Sequence, residues 1–215
     1  MHIPDGFISP QTYVPAYTVC AGLWWLALRR VRTRLDEETL PYIAVLTALS
    51  FVLMMVALPL PGGTTAHASG IALLAVSFGV WTAFLAVSLV LLMQALLFGD
   101  GGITALPINA LAMGFLGSLT AWLLWRGLRR IQARAALFLA GWMSVLLPAL
   151  LVALVLGLQP LIAQDAQGRP LFFPFDLAIT LPAVLIPHLI LGLGEGVLTV
   201  FGHHYLTRLR ARHTA

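Results

Sequence analysis

Six long apolar segments, divided by short stretches rich in Pro, Gly, Arg or Asp, make up most of this 215-residue chain. They cover roughly residues 13–28, 42–58, 68–98, 103–125, 135–158 and 177–205. In lipid every backbone N–H and C=O must be paired within its own segment, so runs of about 17 to 25 apolar residues cross as helices. The third run, about 31 residues, exceeds what one crossing of about 30 Å needs at 1.5 Å per residue. A break at Gly79-Val80-Trp81 divides it into a short helix and a full one. The pattern predicts an all-α, polytopic membrane bundle with seven transmembrane helices, one of them short.

Composition agrees with this reading and charge orients it. The chain is 60% hydrophobic and only 9% charged, against about a quarter charged in ordinary globular domains, and its mean hydropathy is +0.95. All twelve cations are arginine. Three clusters hold nearly all of them: Arg29, Arg30, Arg32 and Arg34; Arg126, Arg129, Arg130 and Arg134; Arg208, Arg210 and Arg212. Six single crossings would set the first cluster on the side opposite the other two, against the positive-inside rule, whereas seven place all three in the cytoplasm. The N-terminus is then outside and the C-terminus cytoplasmic. The same parity puts the loops at 59–66, 99–102 and 159–175 outside, and Asp36, Glu37 and Glu38 inside.

Each arginine cluster directly follows an apolar segment, so nucleic acid is not an expected partner. Without lysine there is no Walker P-loop, whose lysine contacts nucleotide phosphates, and ATP-driven work must come from another chain. Cys20 falls inside the first apolar run and reads as a packing residue. No cation precedes the first run, which argues against a cleavable signal peptide and for retention of Met1. A single membrane domain is expected over 1–215, with a short basic cytoplasmic tail at 206–215.

The outer side collects nitrogen donors. The amine of Met1, with the amide nitrogen and imidazole of His2, can close fused five- and six-membered chelate rings. His67, at the end of Pro61-Gly62-Gly63-Thr64-Thr65-Ala66-His67 and the start of the short third helix, can add a fourth nitrogen. Such a tetragonal array favours Ni(II), Cu(II) or low-spin Co(II) over the oxygen-seeking Mg²⁺ and Ca²⁺.

Four stretches, MHIPDGFISP, PGGTTAHASG, LLMQALLFGDGGITALPINALAMG and PHLILGLGEGVLT, resemble the CbiM/NikM family, the substrate-capture components of energy-coupling-factor transporters for cobalt and nickel. The resemblance runs in order from Met1 to about Thr199. It implies a seven-helix substrate-binding component that holds Co²⁺ or Ni²⁺, as cargo rather than cofactor, through the N-terminal amine, the His2 amide and imidazole, and His67. It also implies a transmembrane scaffold subunit and cytoplasmic ATPase subunits as partners, with room for a small accessory membrane subunit, in the bacterial inner membrane. Uptake would feed cobalamin synthesis or nickel enzymes. Two positions depart from the family pattern. Ala68-Ser69-Gly70 follows the histidine where a leucine and a second small or polar residue are usual, and Ala112 stands where a second polar residue is common.

Other polar positions carry two readings each. Asp100, in Phe98-Gly99-Asp100-Gly101-Gly102, is a turn aspartate or attracts and orients the cation. Asp5 caps the first turn or supports the ligands. Asn109 orients a ligand imidazole through its other nitrogen or forms a helix-packing hydrogen bond. Glu195 is the one acidic residue deep in an apolar run. With His188 two turns away on the same helix face, it is expected to contact a neighbouring helix or a coupling partner rather than form a second metal site. His203 and His204 read as interfacial anchors. Stripes of small residues, Ala68, Ala72, Ala75 and Gly79, then Ala110, Gly114 and Gly117, serve internal packing or a sliding contact with a scaffold subunit. An intramembrane metalloenzyme is the alternative class, but HExxH is absent and Ser69 lacks a nucleophile elbow.

Overall fold

The computed structural model describes residues 2–33, 35–60, 63 and 65–213, excluding the side chains of residues 210, 212 and 213. Met1 and Pro61, Gly62 and Thr64 of the loop motif lie outside the described residues.

Residues 2–9 form a loop that folds back into the bundle, burying Ile3 and Ile8. Helix α1 (Pro10–Arg32) begins with Pro10, whose missing N–H is no loss at a first turn, and carries Arg29, Arg30 and Arg32 in its last turn. Helix α2 (Thr39–Met55) leads to a two-residue antiparallel pair, β1 (Leu58–Pro59) with β2 (Thr65–Ala66). Helix α3 (Ile71–Phe78) and helix α4 (Val80–Phe98) follow. Helix α5 (Leu106–Asn109) continues through a π-helical stretch (Ala110–Gly117) into helix α6 (Ser118–Leu128). Helix α7 (Ala133–Gly157), the single turn α8 (Gln159–Ile162) and helix α9 (Leu177–His213) complete the chain.

Among the described residues, four helical stretches are long and apolar enough to cross a membrane: Val80–Phe98, Leu106–Leu128, Ala133–Ile162 and Leu177–Leu209. Helix α2 is apolar but has only 17 residues. The expected division of the third apolar run falls at Gly79, whose φ of +84° suits glycine. Helix α3, with 8 residues, is only about 12 Å long, under half a hydrocarbon core. Two boundaries differ from the sequence reading. His67 does not begin α3; three residues separate it from Ile71, because the chain around Gly70 (φ +67°) still turns in the left-handed region. The basic segment expected as a tail continues α9 as helix to His213, since nothing in 206–213 breaks a helix.

Small residues let the helices close on one another. A Cβ on Gly141 would stand 2.6 Å from Glu195 O and from Thr199 Oγ1, one on Gly192 2.4 Å from the Trp142 ring, and one on Gly196 2.8 Å from Phe138, so α7 and α9 meet nearly backbone to backbone. Gly117 approaches Ser144 O in the same way, and Gly114 meets Phe84. Ala72, Ala75 and Ala110 are fully buried. Internal packing therefore accounts for most of the small-residue stripes.

Arg30 lies over the Trp81 ring and Arg126 over the Trp122 ring, at 4.5 and 4.7 Å. Both line one cavity of about 370 Å³ beside Gly79. His203 of α9 meets Trp125 edge-on at 5.2 Å. The first two arginine clusters thus share one end of the bundle, with the distal part of α9 beside them.

Candidate functional site

At the other end of α4 the N-terminal loop is held by its main chain. Asn109 Oδ1 accepts from Ile3 N at 3.0 Å, and Asn109 Nδ2 donates to Ile3 O at 3.1 Å. This is the pairing a neighbouring β-strand would offer, provided by one buried side chain. Both its amide atoms thus hold Ile3, and the hydrogen bonds that it makes fasten the N-terminal loop. Asp5 works from the other side. Its carboxylate accepts from the amides of Ile103 (3.1 Å) and Thr104 (2.8 Å) and from the Thr104 hydroxyl. It caps no turn of its own; it ties the loop to the segment after α4. Burial raises the Asp5 carboxyl, but these donors outweigh it and hold the group below its usual range. Gly102 makes the approach possible, because a Cβ there would lie 2.4 Å from both Asp5 N and Asp5 Oδ1.

These two clamps set His2 against His67. Their rings stack with centroids 4.7 Å apart and planes 23° from parallel, and both residues are buried, at 2% and 0% exposure. His67 Nδ1 lies 3.1 Å from Ala68 O. A carbonyl can only accept, so the proton sits on Nδ1 and Nε2 is a bare lone pair. That Nε2, and both ring nitrogens of His2, are buried without a hydrogen-bond partner among the described residues. Asp100 Oδ1 lies 3.1 Å from His2 Nδ1, a close polar contact without the alignment of a full hydrogen bond. Burial lowers the proton affinity of both imidazoles; for His2 the Asp100 contact opposes this without reversing it, and for His67 the nearby positive charge of the N-terminus adds to it. Both rings are therefore kept neutral, the form in which imidazole binds a metal.

Glu195 settles its own place. Its carboxylate accepts from Ser69 N (2.8 Å), Gly70 N (2.7 Å) and the Ser69 hydroxyl (3.1 Å). It thereby caps the start of α3 from α9 and pins the chain two residues after His67, a contact with a neighbouring element rather than with another protein. The Ser69 hydroxyl is spent on this anchor. Ser69 is one of the departures from the family pattern, and here it gives Glu195 a third donor. Ala112, the other, is fully buried among Ile3, Ile8 and Leu156, packing the N-terminal loop.

Sequence reasoning brought His2, His67, Asp5, Asp100, Asn109 and Glu195 forward, and the fold gathers all six around residues 2–5 and 67–70. It missed Gln159, whose Oε1 accepts from Ser9 N at 2.9 Å while Nε2 donates to Thr12 Oγ1 and Val155 O. A fully polar amide at the close of the apolar α7 run was the available signal. Among the described residues no three His, Cys, Asp or Glu side chains converge as a metal cluster.

Residues 2–213 match the family model described as the cobalt uptake substrate-specific transmembrane region, CbiM. The chain is 41% identical to a probable fused nickel transport protein of Lactiplantibacillus plantarum and 42% identical to a fused nickel transport protein of Rhodobacter capsulatus, over 97% and 93% of its own length. It spans 65% and 59% of those longer proteins. A putative metal transport protein of Methanocaldococcus jannaschii is 34% identical, with 98% of this chain and 93% of that one covered. The crystal structure of a truncated transition metal transporter superposes with a TM-score of 0.93 at 37% identity, covering 97% of this chain and 99% of that one. The family is one of transport proteins, not enzymes, and the chain, a multi-pass membrane protein, belongs to it: the CbiM family of cobalt-uptake substrate-specific transmembrane regions.

Proposed function

We propose that this chain captures Co²⁺ or Ni²⁺ as the substrate-binding component of an energy-coupling-factor transporter, with the ion held by the Met1 amine, the His2 amide nitrogen and Nδ1, and His67 Nε2. The observation that carries this reading is the stacked His2–His67 pair, buried, neutral and rich in unpaired nitrogen. Six-membered ring closure with the His2 amide requires Nδ1 of His2, the atom that Asp100 approaches at 3.1 Å. The cation takes over that nitrogen, and the neighbouring carboxylate offsets its charge. Nitrogen donors in one plane suit a d-block ion able to displace the amide proton. The names of the fused nickel and the cobalt transport relatives support the same cargo.

Gathering of the arginine clusters at one end supports seven crossings with that end in the cytoplasm and the His2–His67 end outside. With no P-loop in the chain, a scaffold subunit and cytoplasmic ATPases drive release, and a small accessory subunit is a further partner. Binding should be measured with Ni²⁺ and Co²⁺ on protein with its native start and on protein extended before Met1. The proposal expects the extension to abolish the planar-nitrogen spectrum and weaken binding by at least about a hundredfold, roughly 2.7 kcal/mol. An unchanged spectrum and affinity would refute the chelate.

A further inference from the structure

The cavity beside Gly79 has a chemistry that metal capture does not use. About 370 Å³ in volume, it is lined by Arg30 of α1, Trp81 of α4, and Trp122 and Arg126 of α6. The two guanidiniums lie over the Trp81 and Trp122 rings, contacts that leave their N–H donors unspent. Neither has a carboxylate partner among the described residues. Two cations lining one hollow repel each other, and an anionic group between them removes that cost. Residues 79–82 line the same cavity, so the start of α4 opens on it. No side chain caps this helix, and its first turn adds to a field that favours an anion.

Depth and a neighbouring groove narrow the kind of anion. Trp81 stands at the start of one membrane-length stretch, Val80–Phe98, and Arg126 near the end of another, Leu106–Leu128. The cavity is therefore at the level where helices leave the hydrocarbon, the depth of lipid headgroups. An apolar groove of about 530 Å³ adjoins it and shares Val31 and Thr82 with it. Along α4 the groove extends from Thr82 to Met93, and along α2 from Leu40 to Phe51. Each stretch is about 16 Å long, close to half of a hydrocarbon core about 30 Å thick. Cationic at one end and apolar for the depth of one leaflet, the two hollows together have the polarity and length of a phospholipid.

We propose that they form a binding site for one anionic phospholipid, with its phosphate between Arg30 and Arg126 and an acyl chain along α2 and α4. Guanidinium forks match phosphate oxygens in pairs, whereas a choline headgroup brings a further cation against two arginines. The site lies at the opposite end of α4 from His2 and His67 and does not rest on the capture reading.

Native mass spectrometry of the delipidated full chain in detergent tests this, with phosphatidylglycerol, phosphatidylcholine and inorganic phosphate titrated separately. Wild type should bind one phosphatidylglycerol at least about tenfold more tightly than phosphatidylcholine, as two arginines beside a headgroup warrant. Inorganic phosphate, with no chain to bury, should fail to displace it at about a hundredfold excess. Arg30→Gln combined with Arg126→Gln should bring phosphatidylglycerol to the level of phosphatidylcholine. Arg129→Gln with Arg130→Gln removes the same charge outside the cavity and should stay within about threefold of wild type. Ala44→Trp, which fills the groove from an exposed position, should weaken phosphatidylglycerol at least about tenfold.

Equal binding of the two lipids by wild type, or a preference that survives loss of Arg30 and Arg126, would overturn the proposal. An equal loss in the Arg129 and Arg130 pair would reduce the effect to diffuse surface charge and refute the site. Displacement by phosphate, or full affinity in Ala44→Trp, would make it a site for a free anion instead. Absence of any lipid preference, together with poorer recovery of the whole transporter when Arg30 and Arg126 are replaced, would give the site to a partner subunit's carboxylate. If Ala44→Trp is not monodisperse, Ala48→Phe, one turn further along the groove, is read against the same outcomes.

Discussion

Around His2 and His67 the polar side chains are fastened to main chain. Asn109 pairs both ways with Ile3, Asp5 takes two amides, and Glu195 takes two more. At the opposite end of α4 the cations are exposed and rest on indole faces, Arg30 on Trp81 and Arg126 on Trp122. Both regions are built from charge and hydrogen bonding, yet only the first depends on direction. A buried carboxylate such as Glu195, accepting amides away from water, fails if they shift by an ångström, whereas a guanidinium over an indole in contact with water tolerates many geometries and is worth about 0.5–1 kcal/mol. The first region is a machined holder for two rings. The second is the end that, by the positive-inside rule, we propose faces the cytoplasm.

The largest test of that contrast is Glu195→Ala. It strands two amides and a hydroxyl in a buried site, each costing about 1–3 kcal/mol, so unfolding in detergent should show a loss of roughly 3 kcal/mol or more, together with loss of Ni²⁺ binding. Next, Gly102→Ala forces a methyl group into Asp5 and should displace the N-terminal loop. Equilibrium dialysis is expected to find affinity down by about 10–100-fold, the range for positioning groups around a metal. Asn109→Leu removes both bonds to Ile3 and should cost about 2 kcal/mol of stability with a smaller affinity loss than Gly102→Ala. The smallest effect belongs to Arg30→Gln and Arg126→Gln, at most about 1 kcal/mol each in melting experiments, with Ni²⁺ affinity unchanged. An arginine variant as damaging as Glu195→Ala would erase the distinction between the two ends.

Acid sharpens the same comparison. His2 and His67 bind protons less readily folded than unfolded, where the value is near 6.5. Below that value the unfolded chain takes up protons that the folded chain resists, so these two rings lower stability as pH falls through and below about 6.5. Above it they contribute no such slope. Burial also keeps the rings open to metal to a lower pH than free imidazole allows. Melting and Ni²⁺ affinity measured from pH 8 down to 5 should show a falling melting temperature while binding outlasts the titration of free histidine. Affinity that collapses already at the free-imidazole value would contradict the neutral, buried pair.

Much of this was legible in the chain. Apolar run lengths and the glycine break gave the helices, because a backbone in lipid has few ways to pair its own groups. The proposed chelate was drawn from the sequence alone, because Met1, His2 and their shared amide are neighbours by covalent structure. The partners of Asn109, Asp5 and Glu195 were not legible, since each reaches a main-chain group about a hundred or more residues away. Residue type told that Glu195 needed a partner and not that Ser69 and Gly70 would be it. The π-helical stretch at 110–117 was equally hidden, as its sequence is ordinary helix composition and only packing against α4 and α7 sets its winding.

The sequence by itself determined the class of molecule, an arginine-marked membrane bundle with a nitrogen-rich start, because hydrophobic length, charge placement and adjacent donors are local properties. The tertiary structure alone decided that His2 and His67 stack and which nitrogens stay bare. These depend on where distant backbone amides end up, and hydrogen-bond direction in a buried site is set by packing rather than by residue order.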